Sequence, residues 1–194
     1  MTINALLVGL GNPGDQYKNT RHNVGFMAAD ALAESAGAPA FKRTAAASAD
    51  VTAFDADDRR IIVAKPLTFM NMSGRAVRFL SDFYKIPPEM IFVFHDDIEL
   101  DFARVKTKKG GGSAGHNGLR SIDNLIGKDY RRVRIGVGRP AERFMVPSHV
   151  LSDFLEEEKK VLPNVFSEIF RNISLLFDDG EQFESKINAA AAKN

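Results

Sequence analysis

The chain has 194 residues, with 26 Lys and Arg against 25 Asp and Glu, a formal net charge of +1, 44% hydrophobic residues, no Cys and no Trp. A chain of this length buries roughly 70% of its unfolded surface in a single core, and without Cys it forms no disulfide, thiolate nucleophile, iron–sulfur cluster or Cys-ligated zinc. The first apolar run, Ala5 to Leu10, is too short to cross a membrane and has no basic segment before it, so it reads as a strand rather than an anchor or leader.

In chain order, the patterns predict a strand over Ile3–Leu10, a helix over Asn23–Ala36, and strands over Val51–Phe54 and Arg60–Ala64 joined by a hairpin turn at Asp55–Arg59. A helix follows over Ser73–Tyr84, then a strand over Met90–His95, another over Ala103–Lys108, a helix over Gly115–Ile126 and a strand over Arg132–Val137. The C-terminal part predicts a helix over Leu155–Phe177, broken near Pro163, a last helix over Glu181–Ala190, and fraying across Ala189–Ala192. Continuous apolar strands alternating with helices indicate an α/β fold. The expectation is a single-domain three-layer sandwich over residues 1–194, with a mixed, mostly parallel, twisted central sheet flanked by helices.

The near-neutral total hides a segregation. Residues 104–143 carry 11 basic and 3 acidic side chains, a local balance of +8, while the flanks are mildly acidic. A basic block in a neutral protein suits an anionic partner as well as it suits a solvated face.

Three motif matches fail on context. Gly9–Gly14 fits the dinucleotide pattern, but turn-like residues run to about His22 before helical periodicity begins, so no helix N-terminus meets a pyrophosphate. Gly111-Gly112-Ser113-Ala114-Gly115 fits a nucleophile elbow, yet only His149 lies beyond the adjacent His116 to complete a triad, and the glycine run suggests a loop. The same loop lacks the Gly-Lys-Ser/Thr ending of a P-loop. The four His residues, at 22, 95, 116 and 149, show no close ligand spacing, and Asp96, Asp97, Glu99 and Asp101 lack the pattern of a calcium loop. The expectation is therefore chemistry without a metal or cofactor.

What remains is a set of polar residues at strand ends and helix starts: Asn12, His22, Asn71, Asp96 and Asn117. In α/β sheets the carboxyl ends of the strands form the ligand crevice. A His can take a proton from water, a carboxylate can orient it and stabilise its imidazolium, and amides can hold a carbonyl or oxyanion. Each Asn can equally shape a turn or cap a helix, and Asp96 can cap a loop.

Four blocks then resemble one family. Val8–Gly14 with Tyr17, Thr20–Phe26, Lys65–Gly74 and Gly110–Leu119 are similar, in order and spacing, to the bacterial peptidyl-tRNA hydrolases. The resemblance covers most of residues 3–140 and only loosely the C-terminal helices. It implies hydrolysis of the ester between a peptide and the 3′ ribose of tRNA, in translation and ribosome rescue, by a cytoplasmic monomer without cofactor. It implies that His22 is the general base, that Asp96 stabilises its protonated form, and that Asn12 separates N-blocked from free aminoacyl-tRNA. It assigns Asn71 and Asn117 to the peptide and tRNA end, and Tyr17 and Phe69 to tRNA-binding positions next to Met70. His116, beside Asn117, either touches substrate or is an exposed loop residue; His95 reads as structural and His149 as a surface residue.

From the +8 block, Arg104, Lys106, Lys108, Lys109, Arg131, Arg132 and Arg134 are the candidate phosphate contacts, although alternation along a strand puts only some on one face. Two departures from the family pattern stand out. His95-Asp96-Asp97-Ile98-Glu99 replaces the usual His-Asp-Glu-Leu-Asp, and Ala114 stands where Gly is usual, a strained choice if that position needs positive φ. An organellar-type RNA-binding protein without hydrolase activity and a Ser113 hydrolase are the competing readings.

Overall fold

A computed structural model describes residues 3–191. Strand β1 (Ile3–Gly9) lies in a seven-stranded sheet between β4 (Arg59–Pro66) and β5 (Ile91–Asp97), parallel to both. Next to β5 comes β7 (Arg131–Gly136), also parallel, and the antiparallel edge strand β6 (Val105–Lys109). On the other side β4 pairs antiparallel with β3 (Ala49–Ala56), which pairs with a short edge strand, β2 (Lys42–Thr44). Five of the seven strands thus point the same way, in the order β2-β3-β4-β1-β5-β7-β6.

The buried residues of β1 show why it is central. Ala5 and Leu7 join Val63 and Phe92 in one core, and Leu6 and Val8 join Ile62 and Ile91 in another. Because side chains alternate across a strand, this apolar run serves both faces at once. The first core is covered by α1 (Val24–Ser35), α5 (Glu156–Arg171), α6 (Ile173–Asp178) and α7 (Gly180–Ala191); the second by α2 (Ser73–Tyr84) and α3 (Asn117–Ile126). The result is the expected three-layer α/β sandwich.

Several boundaries differ from the sequence expectation. Strand β2 is three polar residues and carries no apolar signal, and α4 (Val146–Val150) is too short to show helical periodicity. The long C-terminal helix does not break at Pro163. That proline removes one ladder bond, while Leu162, Val165, Phe166 and Ile169 are buried around it, each worth about 1.5–3 kcal/mol against the ~3 kcal/mol an interior proline costs. The break comes at Asn172, whose side-chain amide donates to the Glu168 carbonyl at 2.9 Å beside its own backbone N–H. Helix α7 runs through Ala189 to Ala191, and Ala192 lies outside the described residues.

From β1 the chain leaves through α1 to the β2–β3–β4 side of the sheet, and from β4 it returns through α2 to β5 on the other side of β1, so the crevice at the carboxyl ends opens beside β1 and β5. Helix α1 sits directly on these ends. A Cβ on Gly9 would lie 2.2 Å from the Gly25 carbonyl oxygen, and one on Gly25 would lie 2.3 Å from that of Phe94. Only glycine permits this approach at both positions, and it brings the turn Arg21–Asn23 down onto the end of β5.

Candidate active site

Asp96 is the sixth residue of β5 and only 4% exposed. A carboxylate this buried must be satisfied internally, and one of its oxygens, Oδ1, accepts from two imidazoles: His22 Nδ1 at 2.8 Å and His116 Nε2 at 2.9 Å. Burial alone would raise the Asp96 carboxyl, but the His116 and His22 partners outweigh it and hold it well below the ordinary carboxylate range.

The tautomers follow from the remaining bonds. His116 caps α3, its Nδ1 accepting from the backbone N–H of Gly118 at 3.1 Å and of Leu119 at 3.4 Å. Its ring proton therefore sits on Nε2, pointed at Asp96. His22 donates from Nδ1, which leaves the Nε2 lone pair without a partner among the described residues. That nitrogen belongs to a side chain 12% exposed that lines a cavity of about 570 Å³.

The donor atoms of His22, Asp96 and His116 lie within 4.8 Å of one another and are the one group among the described residues with that ligand proximity. The sequence spacing did not anticipate it. Coordination at His116 Nε2 would drive that ring's proton to Nδ1, where it would face the two amide N–H groups of the α3 N-terminus. The bonds formed are those of a hydrogen-bonded relay.

A second constellation adjoins the first. The Asn23 side chain and the Asn12 backbone exchange two hydrogen bonds of 2.9 Å, and Asn12 Oδ1 accepts from the Met70 N–H at 2.9 Å. The glycine turn, the His22 turn and the loop before α2 are thereby joined. With its oxygen engaged, Asn12 is left with its NH₂ as a donor. Asn71 is exposed in the turn before α2, and Phe69 is 60% exposed on the same loop. Neither Asn71 nor Asn117 is a cap: Met72 and His116 occupy those positions, and Asn117 Oδ1 accepts from Arg120. Tyr17 is half-buried in the preceding turn.

Of the expected residues, His22, Asp96, His116, Asn117, Lys108, Arg132 and Arg134 share the 570 Å³ cavity, whereas Asn12, Tyr17, Phe69, Met70, Asn71, Arg104, Lys106, Lys109 and Arg131 lie outside its lining. The +8 block is less available than its charge suggests. Arg132 is buried, bonded to Asp123 and to the carbonyls of Gly111 and Gly112, so it braces the glycine loop. Arg131 donates to the Leu176 and Phe177 carbonyls, and Arg134 pairs with Asp97 at 2.7 Å. Lys106 and Lys108 are exposed, opposite Arg134 and Arg132 and thus on one face. Lys109 faces the other way with Arg131.

Three supports were not legible in sequence. Arg21 is buried and bonds Ser152 Oγ at 2.8 Å, the Asp153 carbonyl at 2.5 Å and Glu158 at 2.7 Å, clamping the His22 turn to the segment before α5. Asn23 joins the loops as described and lies with Arg21 in the Thr20–Phe26 block; His116, in the Gly110–Leu119 block, completes the relay with a side chain only 9% exposed, which corrects the exposed-loop alternative. His149 is half-buried and donates to the Val137 and Gly138 carbonyls, so the expectation of a plain surface residue is corrected. His95 is 2% exposed and donates from Nδ1 to the Asp96 carbonyl; burial first, then the nearby His116, lowers its pKa to about 3. Ala114 has φ 49°, the left-handed conformation that makes alanine a strained choice there. Ser113 Oγ has no hydrogen-bond partner among the described residues, and both nitrogens of the neighbouring His116 are engaged, so no base is offered to it.

Among the described residues no helix is long and apolar enough to cross a membrane. A family model described as peptidyl-tRNA hydrolase matches residues 6–194. The chain is 45% identical over 183 residues to the peptidyl-tRNA hydrolase of Ehrlichia ruminantium, covering 94% of this chain and 93% of that protein. It is 46% identical over 186 residues to that of Mycobacterium avium, covering 95% and 97%. The crystal structure of peptidyl-tRNA hydrolase from Acinetobacter baumannii superposes with a TM-score of 0.89 at 35% identity, covering 97% of this chain and 96% of that one. Matched by the family model over residues 6–194 and by these relatives over almost its whole length, the chain belongs to the peptidyl-tRNA hydrolase family.

Proposed function

We propose that this chain hydrolyses the ester joining a peptide, or an N-blocked amino acid, to tRNA, using water activated by His22 and no metal. The observation that carries the reading is the free Nε2 of an imidazole whose Nδ1–H is held by a buried carboxylate. Water loses a proton to Nε2 as its oxygen attacks the ester carbonyl; Asp96 stabilises the imidazolium. The tetrahedral intermediate then collapses, the bond to the 3′ ribose oxygen breaks, and that oxygen takes the proton back from His22. An ester leaving group is good enough for this step to need no covalent nucleophile.

Asn12 supplies discrimination in this reading. Its free NH₂ donates to the carbonyl that N-blocking adds, whereas a free α-ammonium would set donor against donor. Tyr17 and Phe69, next to Met70, lie near the tRNA, and Asn71 and Asn117 orient peptide and tRNA end. Lys106 and Lys108, with Arg134 partly shared with Asp97, form the phosphate-facing strip beside the acceptor region. We take the working species to be a cytoplasmic monomer. The test is release of an N-acetylated amino acid from tRNA beside free aminoacyl-tRNA, with chelator present. The reading predicts rapid cleavage of the first and little of the second; equal cleavage would remove the role given to Asn12, and none would remove the hydrolase reading.

A further inference from the structure

Phe144 is 80% exposed, the most exposed large apolar side chain among the described residues. It lies in the turn Arg143–Met145, immediately before α4, whose Val146, Pro147 and Val150 line the 570 Å³ cavity together with Arg139 and Arg143. The turn is held rather than loose. The Met145 N–H donates to the Glu142 carbonyl at 3.0 Å, Ser148 Oγ donates to the Met145 carbonyl at 2.9 Å, and His149 ties α4 to the residues after β7. An exposed aromatic ring is thus carried on an anchored turn directly after Arg143, which lines the cavity that contains His22 together with Arg139, itself paired with Glu99 at 2.7 Å.

We infer that Phe144 is a stacking platform for an unpaired nucleobase of the tRNA 3′ end. The inference deepens the peptidyl-tRNA reading and rests on it. An exposed aromatic ring on the same three-residue turn as Arg143 matches single-stranded nucleic acid, whose bases offer π-faces and whose phosphates offer charge. An apolar protein partner would have to desolvate Arg143 to reach the ring. Base stacking is sequence-tolerant, so the platform secures the end of any tRNA, while Arg143 answers the adjoining phosphate.

The chain contains no Trp, so Phe144→Trp installs a single indole exactly at the platform with no background. Its fluorescence should be quenched by deacylated tRNA and not by tRNA trimmed of its unpaired 3′ nucleotides. In parallel, Phe144→Ala should raise KM for N-acetyl-aminoacyl-tRNA by about 5-fold or more, with the loss in KM rather than kcat, and Phe144→Trp should restore it. An unchanged KM in Phe144→Ala, or equal quenching by intact and trimmed tRNA, would overturn the platform while wild-type hydrolysis still stood. Absence of hydrolysis by the wild-type protein would instead strike the underlying reading.

Discussion

Replacing Asp96 by Asn keeps the shape of the side chain and removes its charge. In the native site Oδ1 lies 2.8 Å from His22 Nδ1 and both groups are largely shielded from water. At that separation an effective dielectric of about 20 gives roughly 6 kcal/mol between a carboxylate and an imidazolium. Proton transfer to His22 is partial at the transition state, so about half of this, roughly 3 kcal/mol, is the loss expected there, equivalent to about 10² in kcat. Full expression would give about 10⁴. The loss should fall on kcat, because the perturbed charge faces the base and not the substrate. Single-turnover release of N-acetylated amino acid from tRNA, with circular dichroism to verify the fold, is the assay. A folded Asp96→Asn enzyme within tenfold of wild type would refute the argument that this carboxylate stabilises the protonated base.

Three further outcomes follow from the supports. His116→Ala removes the α3 cap as well as one donor to Asp96, and thermal unfolding should register about 1 kcal/mol, whereas His116→Asn, able to cap, should recover stability without recovering activity. Arg21→Met removes the partner of Glu158, of the Ser152 hydroxyl and of the Asp153 carbonyl, so urea unfolding should show a loss of about 2–3 kcal/mol together with a fall in kcat as the His22 turn loosens. His95, with its pKa lowered to about 3 in the fold, gains a proton on unfolding at a higher pH than in the folded state. Stability should therefore fall as pH drops from about 6.5 towards 3, by up to about 1.4 kcal/mol per pH unit for this one proton, and His95→Asn should flatten that part of the urea–pH profile.

Central features of this molecule are visible in its sequence because local pattern and tertiary demand agree. Ala5–Val8 is apolar at every position because β1 serves two cores, and His22 and Asp96 could be paired by chemistry once one was placed before the first helix and the other at a strand end. What sequence hid was pairing at a distance. His116 meets Asp96 only because α3 starts beside the end of β5, and nothing in the neighbourhood of residue 116 announces a carboxylate twenty positions earlier. Arg21 is a cation within a basic-looking motif whose three acceptors lie more than 130 residues away. The same blindness explains the phosphate strip: Arg131 and Arg132 count as charge in a composition sum, yet both spend their donors on carbonyls and Asp123. Short elements such as α4 and β2 fall below the length at which periodicity is readable.

The central claim is that His22, oriented by Asp96, activates water for cleavage of peptidyl-tRNA. The most direct measurement is the single-turnover rate of N-acetyl-aminoacyl-tRNA hydrolysis by wild type and His22→Ala under identical chelated conditions. The account predicts efficient release by wild type and a rate lower by about 10² to 10⁴ in the variant, with tRNA binding and thermal stability little changed. A His22→Ala protein that releases the amino acid at near wild-type rate would contradict it.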